Sequence, residues 1–170
     1  MANESLHDLL VADLQYLYFA DRQLKKAFPK FARAATSDSL KRLCEEGVEY
    51  TAERLERLET VFDALDVNPR AKTSHGMKGL IEEARQVAEK DLASGVKDAA
   101  LLAAIQRISH YGIASYGTAA AYADAVGEKK AARILAKSLR EKKEADEEMT
   151  EMAETEINPA ALEGEDEEYE

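Results

Sequence analysis

The chain is poor in the residues that most often carry catalysis: one cysteine, Cys44, no tryptophan and three histidines among 170 residues. A single thiol forms no disulfide within the chain and builds no cysteine zinc cage. No apolar run approaches the length that crosses a bilayer. Met1-Ala2-Asn3-Glu4-Ser5 lacks the basic and apolar regions of a secretory leader, so the expected setting is the cytoplasm. Basic excess is missing as well, since the formal net charge is −11. Residues 140–170 hold 14 acidic and 3 basic side chains, whereas residues 1–139 hold 20 of each. The body is therefore electrically balanced and offers no basic face to displace counterions from phosphates. Nucleic acid is not an expected partner, nor is an anionic membrane surface.

What is present is alanine-rich, 45% hydrophobic sequence with few glycines and prolines and no strand-like alternation. Such a chain is all-helical and long enough for one packed domain. Ser5-x-x-Asp8 resembles a capping box and opens a helix to about Ala35, with Pro29 as a kink or late break. Thr36-Ser37-Asp38 caps a second helix over roughly 38–66, which Asn68-Pro69 ends. A shorter helix is expected around 76–93, then Gly95 as a separator and a long helix over 97–126. Gly127 turns the chain into a last helix over 128–155, closed by Asn158-Pro159. Four long helices and a crossover carrying a short extra helix make a ferritin-like four-helix bundle over 1–157. The acidic segment 158–170 is expected to be a disordered tail.

Bundle helices present stripes spaced alternately three and four residues apart. The first reads Leu10, Leu14, Leu17, Asp21, Leu24, Phe28, Phe31, and the second Cys44, Val48, Thr51, Leu55, Leu58, Phe62, Leu65. The third reads Leu101, Ile105, Ile108, Gly112, Ser115, Ala119, Tyr122, Val126, and the fourth Leu135, Leu139, Lys142, Asp146, Met149, Ala153. Asp21, Gly112 and the Lys142/Asp146 pair interrupt three of these stripes near their middles, which predicts that they meet at one level. Burying an unpaired charge costs several kcal/mol, so such charges need a solution. Either carboxylates surround metal ions, or the Lys142 ammonium stands where a cation would be. A third possibility is that a side chain snorkels out of a slightly rotated helix.

Ala20-Asp21-Arg22-Gln23-Leu24, His75-Gly76-Met77-Lys78-Gly79-Leu80-Ile81-Glu82-Glu83, Lys97-Asp98-Ala99-Ala100-Leu101 and above all His110-Tyr111-Gly112-Ile113-Ala114-Ser115-Tyr116-Gly117-Thr118 carry a resemblance. Over residues 6 to about 153 the sequence resembles the YciE/YciF-like bacterial stress proteins of the ferritin-like superfamily. That resemblance implies a commonly dimeric bundle in cells under osmotic or oxidative stress, with a poorly defined activity. It also implies a dimetal pattern: a glutamate on the first helix, Glu-x-x-His on the second, a glutamate on the third, and a glutamate with a further carboxylate on the fourth. Here those positions fall on Asp21, on Glu49 and Ala52, on Gly112, and on Lys142 and Asp146. The histidine and one glutamate are gone, and a cation replaces another.

An ammonium among two divalent ions opposes them at close range, so the preferred expectation is a metal-free core. In it Lys142 bridges Asp21, Glu49 and Asp146, with Glu49 the weakest member, and Gly112 leaves space for a water or a close helix contact. If metal is bound, Asp21, Glu49, Glu53 and Asp146 are the candidate ligands for iron or manganese; helical phase argues against His110. Tyr116 and the other tyrosines read as packing residues rather than redox groups, and Cys44 as a small buried residue. Gly76 and Gly79 lack the context of a phosphate loop. The favoured function is a non-enzymatic, stress-associated structural or interaction protein, expected as a homodimer with a possible unidentified protein partner. An oxidase, peroxidase or iron-handling protein is the alternative. Fold alone does not separate the two.

Overall fold

Alternating apolar spacing and well-placed caps give the chain its helices. The computed structural model describes residues 4–167, and among them all regular structure is helical. Helix α1 (Leu6–Ala34) begins at the expected capping box: Asp8 N–H donates to Ser5 Oγ, and Asp8 Oδ2 accepts from Ser5 N–H, each at 3.1 Å. Pro29 lies inside α1 without ending it. Ser37 caps α2 (Asp38–Ala64) and Ser74 caps α3 (His75–Glu89). Two long helices follow, α4 (Ser94–Ala125) and α5 (Lys129–Met152).

Residues 35–37 and 126–128 are too few to do anything but reverse the chain, so α1 with α2 and α4 with α5 form hairpins. Gly127 has φ +85°, the left-handed conformation that glycine adopts without steric cost. The two hairpins meet through α1 against α4 and α2 against α5, while α3 lies across α1 and α4. All seven residues of the first stripe are buried, Asp21 included.

Two expectations are corrected. Gly95 was expected to separate helices, yet it lies within α4. A Cβ there would sit 2.8 Å from the backbone of Ala160 and Ala161, so the missing side chain is what lets the C-terminal segment approach. That segment is not a disordered tail over its described part: a π-helical turn (Ala153–Ile157) leads into α6 (Asn158–Glu167). Residues 168–170 lie outside the described residues. Asn158-Pro159 does not stop the chain because the wide turn changes register just where proline has no N–H to offer. Ile157 is buried in the core, and Glu156 accepts hydrogen bonds from Ser37 and Ser39 at the start of α2. These contacts hold the extension against the body.

The apolar interior falls into two clusters. One gathers Leu10, Leu14, Leu17, Leu58, Phe62 and Leu135; the other gathers Leu24, Phe28, Phe31, Leu101, Ile105 and Met149. Between them, by position along α1, α2, α4 and α5, come Asp21, Thr51 and Arg54, Gly112 and Lys142. Polar residues therefore interrupt the core at one level.

Candidate functional site: a polar belt across the core

Asp21 is carried by α1 at the centre of its apolar stripe and is 2% exposed. Its carboxylate takes a hydrogen bond from the Tyr116 hydroxyl of α4 at 2.6 Å and faces the Arg54 guanidinium of α2 at 3.4 Å. Arg54 also donates to Thr51 Oγ1 at 2.9 Å, and the Thr51 hydroxyl donates to the Gly47 carbonyl one turn back. Four side chains from three helices thus close a buried network in which every member has a partner. Burial and the nearby Asp21 charge push the Tyr116 hydroxyl well above its ordinary pKa, so it remains a neutral donor.

Lys142 enters the same level from α5 and is 7% exposed. Its nitrogen would lie 2.8 Å from a Cβ at position 112, so the lysine's end occupies the volume that Gly112 leaves empty. It also stands 5.9 Å from the centre of the Tyr116 ring. Among the described residues no carboxylate oxygen comes within 4.0 Å of that nitrogen. Desolvation, reinforced by the Arg54 charge and only partly offset by Asp21, pulls its pKa down to about 7.

The expected cluster of Asp21, Glu49, Lys142 and Asp146 is therefore not what the helices bring together. Glu49 is exposed, because it flanks the buried face of α2. Asp146 sits at the edge of α5, 2.9 Å from Nε2 of the exposed His110, and accepts from Gln106. Helical phase does turn His110 away from the core, but Asp146 turns the same way and the two meet outside. The cation that pairs with Asp21 is Arg54, which the sequence reading passed over. A signal for it existed: Thr51, Arg54, Leu58, Val61 and Leu65 repeat at three and four just as well as the stripe through Leu55, and all five are buried. Gly112 gives its space to Lys142 rather than to a water or a close helix.

A dimetal centre does not fit these residues. Asp21 is committed to Arg54 and Tyr116, Glu53 is exposed and paired with Arg57, and Asp146 and Glu49 lie apart from Asp21. Among the described residues no three His, Cys, Asp or Glu side chains converge as a metal site would require. The polar groups present at this level are two basic side chains, the Tyr116 and Thr51 hydroxyls and one occupied carboxylate, a set that does not favour cations.

Beside the belt, α2 and α5 part to leave a cavity of ≈ 170 Å³. Leu24, Phe28, Ile105, Ile108 and Met149 form its apolar part, Arg54 and Lys142 contribute to its wall, and Glu46, Glu144 and Glu148 stand toward solvent. Among the described residues no helix is long and apolar enough to cross a membrane.

Comparison with known proteins fits this architecture. The domain of unknown function DUF892 matches residues 5–162. Protein YciF of Escherichia coli K12 is 37% identical over 163 residues, covering 95% of this chain and 98% of its own. The crystal structure of the E. coli stress protein YciF superposes with a TM-score of 0.88 at 36% identity, over 91% of this chain and 98% of that one. The Rhodopseudomonas palustris protein YcfI, described as a candidate structural protein, gives a TM-score of 0.84 at 34% identity, over 87% and 94% of the two chains. A Xanthomonas campestris protein shares the fold at 22% identity, with a TM-score of 0.76 over 95% and 99%. By sequence along nearly its whole length, and by the helical arrangement that length adopts, this chain belongs to the DUF892 family of YciF-like proteins.

Proposed function

We propose that this protein is a non-enzymatic, stress-associated structural or interaction protein, built on a ferritin-like four-helix scaffold whose dimetal position is degenerate. The observation that supports this reading is the fate of Asp21. It is the one carboxylate left at the level of a dimetal site, and its oxygens are taken by Arg54 and Tyr116. Lys142 stands at a position where a ligand would be needed, and the Arg54 guanidinium is buried at the same level. The names of the relatives agree with the reading: one is called a stress protein, another a candidate structural protein. A cytoplasmic setting and association as a homodimer belong to the same proposal.

Metal analysis of protein expressed with added iron and manganese tests it. The expected result is no stoichiometric metal after purification. One or two metal ions per chain, lost on removal of the Asp21 carboxylate, would replace this proposal with the iron- or manganese-protein alternative. Light scattering of the purified protein tests the dimer.

A further inference from the structure

We propose that the cavity between α2 and α5 binds a small amphipathic monocarboxylate, its charge held by Lys142 and Arg54 and its hydrocarbon part by the apolar wall. This goes beyond the scaffold reading, because it gives the belt a ligand. Three observations carry it.

The first is charge. At the level of the belt two buried cations face one buried carboxylate, and Asp21 is already shared between Arg54 and Tyr116. With Lys142 protonated the interior holds one positive charge too many, and an added carboxylate would balance it.

The second is the unpartnered amine. Lys142 is more than nine-tenths buried, and no carboxylate among the described residues reaches its nitrogen. No fully enclosed side-chain nitrogen or oxygen among those residues lacks a partner. The Lys142 amine therefore opens onto the cavity whose wall it forms.

The third is shape. A cavity of about 150 Å³ holds a benzene-sized molecule, so the ≈ 170 Å³ here suits a chain or ring of similar bulk. Leu24, Phe28, Ile105, Ile108 and Met149 offer that hydrocarbon an apolar surface. Glu46, Glu144 and Glu148 near the opening oppose a second negative charge, which selects a monoacid over a diacid.

The groups facing Lys142 or this cavity are Asp21 from α1, Arg54, Glu46 and Tyr50 from α2, Tyr116 from α4, and Glu141, Glu144 and Glu148 from α5. Glu141 is held by Arg57. Since the amine titrates near neutrality in the empty protein, a bound carboxylate would keep it protonated, and binding is coupled to proton uptake.

Calorimetric or NMR titration of the full chain with hexanoate tests the inference, with hexan-1-ol and adipate as probes of charge. Hexanoate is expected to bind one per chain and to perturb the methyl signals of Leu24, Ile105, Ile108 and Met149. Hexan-1-ol and adipate should bind at least about tenfold more weakly. Affinity for hexanoate should fall about tenfold per pH unit above about pH 7. Lys142→Met removes the buried charge without adding bulk, and should reduce hexanoate binding to the level of the alcohol. Absence of saturable binding up to about 10 mM hexanoate, equal binding of hexan-1-ol, or retained binding by Lys142→Met would each overturn it. Metal content plays no part in these readouts, so they stand or fall separately from the scaffold proposal.

Discussion

Asp21 and Asp98 are buried to the same degree, at 2% and 3% exposure, yet they do different work. Asp98 accepts from the Thr36 and Ser37 backbone N–H groups and from the Thr36 hydroxyl, at 2.5–2.8 Å. All its partners are neutral dipoles on the short link between α1 and α2. The pairing fastens α4 to that turn, beside the start of α2. Asp21 instead faces a guanidinium and, further off, an ammonium, both of which must themselves be kept out of water. A carboxylate satisfied by N–H and O–H dipoles answers a local demand for acceptors; one set among buried cations determines whether their charges can be tolerated at all.

Neutralising each aspartate in turn should separate the two roles. Asp21→Asn leaves Arg54 and Lys142 without a counter-charge and should cost about 3–5 kcal/mol in urea unfolding at neutral pH. Asp98→Asn keeps one acceptor for the turn and should cost about 1–3 kcal/mol. Equal losses would mean that the Asp21 charge is not what the belt depends on.

Lys142→Met comes next and runs in the opposite direction. The native state holds this amine at a pKa of about 7, while an unfolded lysine titrates near its ordinary 10.5. Between those values the unfolded chain binds more protons, so this residue makes stability rise with pH, and its full penalty is felt below pH 7. The methionine variant should therefore gain about 1–4 kcal/mol at pH 6. The gain should shrink steadily as pH rises towards 10, as followed by chemical denaturation at several pH values.

A finer comparison uses double mutants. Asp21→Asn with Lys142→Met should lose less than the sum of the two changes, by about 0.5–3 kcal/mol, because the lysine is part of what Asp21 compensates. Asp98→Asn with Lys142→Met should be additive within about 0.5 kcal/mol. The smallest effect belongs outside the belt. His110→Gln removes the surface contact with Asp146 and should move stability by no more than about 1 kcal/mol.

The helices were legible in the sequence because their signals are local. Ser5 with Asp8, Ser37 and Gly127 each act within a turn or two of themselves, and the stripe from Leu10 to Phe31 depends only on periodicity. The level at which charge interrupts the core could also be read, since Asp21 and Lys142 break apolar stripes. Partner choice could not. On α2 two stripes share Thr51, Leu58 and Leu65 and differ at 54 or 55 and at 61 or 62, and only packing against α1 and α5 decides whether Arg54 or Leu55 is inside. Arginine reads as surface in such a choice, so the true partner of Asp21 was missed. Glu49 and Asp146 came from the ligand pattern that the resemblance implies, and the helices do not bring these two carboxylates to Asp21. The helix beyond Pro159 was missed for a related reason. Its support comes from Gly95, Ser37 and Ser39, residues far away in the chain, while its own acidic composition argues for disorder.

Gly112 and Lys142 lie on different helices but share one volume, and this ties their substitutions together. With a methyl group at 112 the lysine's last atoms would be crowded to 2.8–3.2 Å and would have to move. A relative can therefore carry a lysine in this pose only if its α4 has nothing beyond a hydrogen at the facing position. Among related sequences the pair should change in concert: glycine should accompany lysine, and where the α5 residue is short or acidic the α4 position is free to carry a side chain.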